Sequence, residues 1–132
     1  LYGYDGKCKN IHGHNYKLFV TVVGSPTSDS SNVKFGMVMD FDDLKKIVKA
    51  EIIKEFDHSV IFNKNSPHKK LADDLIKNGH KVVLADYQPT IEEMIIDFAN
   101  KISSKLPSEI KLHSLKLEET ETSYSEWFAA DN

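Results

Sequence analysis

Residues 40–56, DFDDLKKIVKAEIIKEF, decide the architecture. Phe41, Leu44, Ile47, Val48, Ile52 and Phe56 recur at helical spacing, so one side of the segment is apolar and the other carries Lys, Asp and Glu. Asp40 stands where an N-cap is needed, and Asp42 and Asp43 put negative charge in the first turn. The helix predicted over Phe41–Phe56 therefore has a stripe to bury. Upstream, NYKLFVTVVG (residues 15–24) is rich in β-branched and aromatic residues and predicts a strand. SPTSDSSN (residues 25–32) has strong turn chemistry, and Val33–Met39 is expected to return as a second strand, closing a hairpin with a long tip.

Downstream, Asn63–Lys70 reads as loop, and Leu71–Asn78 predicts a short helix ended by Gly79. VVLADY within Lys81–Tyr87 predicts a short strand. Thr90 and Glu93 fit a capping box, followed by Ile91, Met94, Ile95, Phe98, Ile102 and Leu106 on one helical face, stopped before Pro107. Ile110–Thr120 and Ser123–Ala129 predict two final strands. The expected class is α+β, one domain over residues 1–132, with two helices covering one face of an antiparallel sheet. The other face then needs a partner, which points to oligomers.

At 132 residues the chain suits a single core, and 40% hydrophobic with 28% charged residues is a globular balance. No apolar run approaches the roughly 20 residues of a membrane span. Residues 1–10 do not read as a signal peptide. The chain opens on Leu1, so further N-terminal residues are expected. A net charge of −3 leaves no footprint for nucleic acid. All 17 basic residues are Lys, so phosphate would be held by ammonium groups or backbone N–H rather than by this chain's own guanidinium forks. A lone cysteine forms no intrachain disulfide, which fits a reducing, cytoplasmic setting and leaves Cys8 free.

The densest chemistry is CKNIHGHNY, residues 8–16. In extended backbone His12 and His14 share a face, a spacing suited to one zinc ion, with Gly13 leaving room between them. A catalytic zinc usually has three protein ligands, so a third is needed; Cys8 is either that ligand or a nearby thiolate base. The bland alternative is two polar histidines at a strand end. Asp57–His58 follows the first helix; the carboxylate can orient the imidazole for acid–base work, or His58 can merely favour the helix dipole. By alternation Glu119 shares a face with Leu115 and Leu117, where a carboxylate needs a partner such as the paired N–H donors of a flat heterocycle. Otherwise it is a strand end in water. His113 falls on the same face by the same count, while His68 and His80 read as solvated loop residues.

These motifs, CKNIHGHNY, GMVMDFDDLK (36–45), FDH (56–58), PTIEE (89–93) and LEET (117–120), resemble in their order the 6-pyruvoyl-tetrahydropterin synthase family across nearly the whole chain. The three-residue gap between Cys8 and His12 is similar to the bacterial 6-carboxy-tetrahydropterin synthase branch of the queuosine pathway. The resemblance implies a T-fold, a four-stranded antiparallel sheet with two helices on one face, joined into barrels and commonly hexamers. It implies zinc held by His12 and His14 and by a third His that would fall upstream of Leu1. It further implies Cys8 as the catalytic thiol, Asp57 and His58 as its acid–base partners, and Glu119 as the pterin anchor, with Thr90 and Glu92 lining the pocket. Lys7, Lys9 and Lys17 are candidates for the triphosphate.

The implied reaction converts 7,8-dihydroneopterin triphosphate to 6-carboxy-tetrahydropterin with loss of acetaldehyde and triphosphate. The alternatives are formation of 6-pyruvoyl-tetrahydropterin, a non-catalytic pterin- or purine-binding T-fold protein, and a structural oligomeric domain. Simple binding needs none of Cys8, Asp57 and His58, which favours the enzyme.

Overall fold

The computed structural model describes residues 1–132. Strand β1 (Lys17–Val23) leads through a long connection to helix α1 (Phe41–Val48), whose Asp40 cap accepts from the Asp42 N–H at 2.8 Å. The helix runs on through a π-helical turn, Lys49–Ile53, and a last turn, α2 (Lys54–Phe56). Next come β2 (Val60–Asn63), α3 (Lys69–Lys77), β3 (Val82–Ala85), α4 (Ile91–Ser103), β4 (Lys111–Thr120) and β5 (Ser123–Phe128).

The main sheet has the order β1–β4–β5, antiparallel throughout, with Lys17 opposite Glu118 and Leu117 opposite Ser125. Met94, Ile95, Phe98, Ala99 and Ile102 form the buried face of α4 and pack on Leu112, Leu115 and Leu117 of β4, with Ile52 closing the core from the π-turn. Phe56 meets Phe98 edge to face at 4.9 Å, joining the two helical segments. This is the α+β arrangement expected, with the helices on one face. The opposite face leaves Phe19, Val23, Tyr124 and Phe128 open to solvent.

Two expectations are corrected. The main sheet has three strands, not four, because Val33–Met39 does not form a strand. Only two ladder bonds tie this segment to its neighbour, Thr27 N–H to Met37 O and Gly36 N–H to Thr27 O, both 2.9 Å. Local turn bonds take the remaining groups: Phe35 N–H to Asn32 O, Met37 N–H to Lys34 O, and Lys34 N–H to the Asn32 side chain. Short polar side chains offered the backbone an alternative to the ladder, and Gly36, at φ 80°, completes the turn. Second, residues 60–63 form a strand absent from the sequence reading. They pair in parallel with β3 across the α3 crossover, in a small sheet of their own.

His113 also departs from expectation. Between Thr21 and Val22 of β1 the β4 register jumps from Ser114 to Leu112, leaving His113 as the extra residue of a bulge. The jump resets the alternation, so His113 is exposed beside Phe128, away from the Glu119 face.

Thr90 caps α4, its hydroxyl accepting from the Glu93 N–H at 3.4 Å, while its own N–H goes to Gln88 O. Thr90→Ala is expected to lower stability by about 1 kcal/mol, and Thr90→Ser to restore most of it. Urea midpoints at an unchanged m-value check this; a Thr90→Ala midpoint equal to wild type would show that the cap contributes nothing.

Candidate active site

Residues 1–16 fold back on themselves before entering β1. A 3-10 turn, Lys7–Lys9, carries Cys8, and the Leu1 backbone nitrogen donates to Cys8 O at 2.6 Å. Gln88 Nε2 donates to Tyr2 O at 2.7 Å, fastening the segment to the loop before α4. The resulting cleft, about 740 Å³, is walled by the Cys8 turn, the His12–Tyr16 segment, the end of β4 and the start of α4.

His12 and His14 lie side by side, ring centroids 4.9 Å apart and nearly perpendicular. His12 Nδ1 is 2.7 Å from Asn10 O. A carbonyl only accepts, so Nδ1 carries the hydrogen and the Nε2 lone pair is left free, the arrangement a metal-ligating imidazole uses. His14 Nε2 is 3.2 Å from Glu119 Oε1 yet has no well-directed hydrogen bond and no solvent contact. It is an orphaned buried nitrogen. These two atoms suit a borderline-soft divalent cation. No third His, Cys, Asp or Glu completes a metal-binding group with them, so they are part of a donor set rather than the whole.

Glu119 arrives here because the start of β1 pairs with the end of β4, where the β4–β5 register shifts between Glu118 and Thr120 and leaves Glu119 as the unpaired residue, lining the cleft with Leu117. Its side chain is 29% exposed. Tyr16, two residues beyond His14 and therefore on the same face, donates its hydroxyl to Glu119 Oε1 at 3.4 Å and meets the His14 ring at 5.8 Å. Burial, and then the Glu119 carboxylate, push the Tyr16 hydroxyl up to about 12, with a smaller push from Cys8. Tyr16 thus stays protonated and remains a donor at neutral pH.

Asp57 and His58 are joined by a 2.8 Å contact between Oδ1 and Nδ1. They stand at the cleft's rim with the His58 side chain 91% exposed, so the structure does not pack them against the Cys8 turn. Thr90 and Glu92 line the cleft's edge, the former with its hydroxyl already given to the α4 cap. Of the three lysines considered for phosphate, Lys9 lines the cleft.

The structure therefore gathers His12, His14 and Glu119, places Cys8 on the lining of the same cleft, and leaves Asp57–His58 at the margin. Tyr16 went unread, although a spacing of two from His14 placed it on that face. His68, expected in solvent, is half-buried against Tyr2 (5.9 Å) and Phe62 (6.2 Å) within the cleft. Nothing in the local sequence signals the Gln88–Tyr2 bond, which spans 86 positions.

Comparison with known proteins adds a second line. The family model described as 6-pyruvoyl tetrahydropterin synthase matches residues 1–129. A Haemophilus influenzae protein named 6-carboxy-5,6,7,8-tetrahydropterin synthase is 38% identical, with 96% of this chain and 88% of that protein covered. Proteins of the same name from Rickettsia typhi (33% identical, 96% and 88% covered) and Aquifex aeolicus (37% identical, 92% and 75% covered) also match. A crystal structure of an uncharacterized Wolinella succinogenes protein shares the fold with TM-score 0.74 at 20% identity, covering 92% of this chain and 81% of its own.

Proposed function

The chain belongs to the 6-pyruvoyl tetrahydropterin synthase family, and from that membership we propose that it is a carbon–carbon lyase acting on 7,8-dihydroneopterin triphosphate. With one water consumed, the products are 6-carboxy-5,6,7,8-tetrahydropterin, acetaldehyde and triphosphate. The names of the relatives support this reaction. The observation that carries the reading at the site is the convergence of the His12–His14 pair and the half-buried Glu119 in one cleft with the only thiol of the chain.

Glu119, acceptor-only when ionised, pairs with the ring N–H and amino group of the pterin. Tyr16 keeps one carboxylate oxygen in place from behind. With the ring anchored, the three-carbon side chain extends along the wall that carries Cys8, whose thiolate takes a side-chain proton. His58, its Nδ1 held by Asp57, returns protons through Nε2. Lys9 and backbone N–H groups of the N-terminal segment offer positive charge to the triphosphate. His12 and His14 would hold a zinc ion, with a third ligand from a residue preceding Leu1, which itself lines this cleft. When bound, that ion supplies Lewis-acid polarisation of the side-chain oxygens. The uncovered sheet face, with Phe19 and Tyr124 at its surface, supports assembly into a homo-oligomer such as the hexamer the resemblance implies.

The test uses the full-length protein, loaded with zinc and incubated with dihydroneopterin triphosphate. Mass spectrometry is expected to find equal amounts of 6-carboxy-tetrahydropterin and acetaldehyde. Triphosphate release with a pyruvoyl product and no acetaldehyde would instead identify the sister reaction. Binding without turnover would make this a pterin-binding protein.

A further inference from the structure

His58 has the one non-glycine backbone in the left-handed region, φ 55°. Residues with a Cβ adopt that conformation uncommonly, histidine more readily than most, and here it lies in a turn closed by the Ser59 N–H on Phe56 O. The imidazole does not hold it there: it is 91% exposed and its only partner is the adjacent Asp57 carboxylate. Where His58 aims is therefore set by its backbone, and the backbone is gripped from both sides by one residue. Lys81, just before β3, donates from Nζ to Lys54 O at 2.9 Å and to Asp57 O at 2.7 Å. These carbonyls belong to the end of the helical segment, where backbone acceptors lack helical partners and the dipole favours a cation. On the far side of His58, the Val60 N–H donates to the Lys81 carbonyl at 3.0 Å. One lysine thus brackets residues 57–60, its side chain holding the entry and its main chain the exit. Ser59 fills the turn, its N–H and hydroxyl both going to Phe56 O at 3.2 and 2.7 Å.

We propose that Lys81 is a positioning residue for the Asp57–His58 pair, its ammonium locking the turn that points the imidazole. The proposal rests on the reading of His58 as a proton carrier. Loss of the ammonium frees the Asp57 carbonyl and lets His58 relax toward ordinary backbone, which misaims the ring without touching the pterin anchor. The bond from the Lys81 main chain to Val60 survives any side-chain change, so β2 and β3 stay paired.

The experiment compares Lys81→Met, Lys81→Arg, His58→Ala and the double variant His58→Ala/Lys81→Met in the zinc-loaded, full-length protein. Lys81→Met is expected to lower kcat between about 10- and 100-fold, the cost of misplacing a catalytic group, with KM within about twofold. Backbone 13C shifts of His58 should move away from left-handed values in Lys81→Met and stay in Lys81→Arg, which restores turnover. In the His58→Ala background Lys81→Met should have no further effect, because there is no ring left to aim. A full independent loss in the double variant would overturn the proposal, as would wild-type turnover in Lys81→Met. If Lys81→Met fails to fold, Lys81→Gln, whose shorter amide cannot span both carbonyls, carries the same comparison. Wild-type activity in His58→Ala would remove the underlying reading instead, and that outcome is told apart by its not involving Lys81.

Discussion

Cys8→Ala is expected to cut acetaldehyde release by about 1,000-fold or more while zinc content stays near wild type. Removal of a proton from carbon is slow without a placed base, and general-base groups typically contribute 10²–10⁴-fold. Cys8 is the only thiol, so no neighbour can substitute for it. It sits on its own 3-10 turn, held by the Leu1 backbone nitrogen, while His12 and His14 lie beyond that turn with their own contacts. The substitution therefore removes the sulfur without disturbing either imidazole. The same uniqueness supplies a chemical control. One equivalent of iodoacetamide should inactivate the wild-type enzyme in step with loss of the single titratable thiol, and dihydroneopterin triphosphate should slow that reaction. Turnover by Cys8→Ala within a few fold of wild type would exclude the thiol base. Loss of zinc together with activity would make Cys8 a metal ligand instead, the alternative role its sequence position suggests.

The features legible in the sequence were those written in local periodicity. Of the stripe from Phe41 to Phe56, Ile47, Val48, Ile52 and Phe56 face the core while Phe41 is exposed; the stripe from Ile91 through Ile102 became a helix on the core side, and both caps, Asp40 and Thr90, are in use. Glu119 reached the cleft at the end of β4, two residues past the buried Leu117, although the β4–β5 register shifts between Glu118 and Thr120. The misreadings occurred where something nonlocal or conformational decides. Val33–Met39 has strand composition, but Asn32 and Gly36 favour turns and the segment has too few ladder bonds to compete. The bulge at His113 shifts one residue and thereby moves a side chain to the opposite face. Val60–Asn63 is only four residues long and acquires its partner through a parallel crossover, which no local pattern announces. The Lys81 bracket is of the same kind: a lysine 24 positions from Asp57 carries no local mark of its partner.

Glu119→Gln is expected to weaken pterin binding by about 100-fold while zinc content changes by less than about twofold. The amide is nearly isosteric with the carboxylate and can keep its oxygen toward the Tyr16 hydroxyl, now 3.4 Å away. Its other arm then presents N–H groups where the pterin also presents N–H groups. A hydrogen bond to a charged group contributes about 1.5–3 kcal/mol, and a donor left facing a donor adds a desolvation cost of about 1–3 kcal/mol. Even the lower ends of the two ranges together correspond to about 60-fold, at 1.4 kcal/mol per decade. Tyr16→Phe should do less, about 2- to 10-fold, because it removes one neutral donor and leaves the carboxylate to meet the ring. The ordering of the two variants is the informative result. An anchor predicts Glu119→Gln far worse than Tyr16→Phe in pterin affinity, with neither altering zinc. If Glu119→Gln binds pterin as wild type but loses zinc, the 3.2 Å approach of its carboxylate to His14 Nε2 is a metal-site contact, and the ring must be held elsewhere in the cleft.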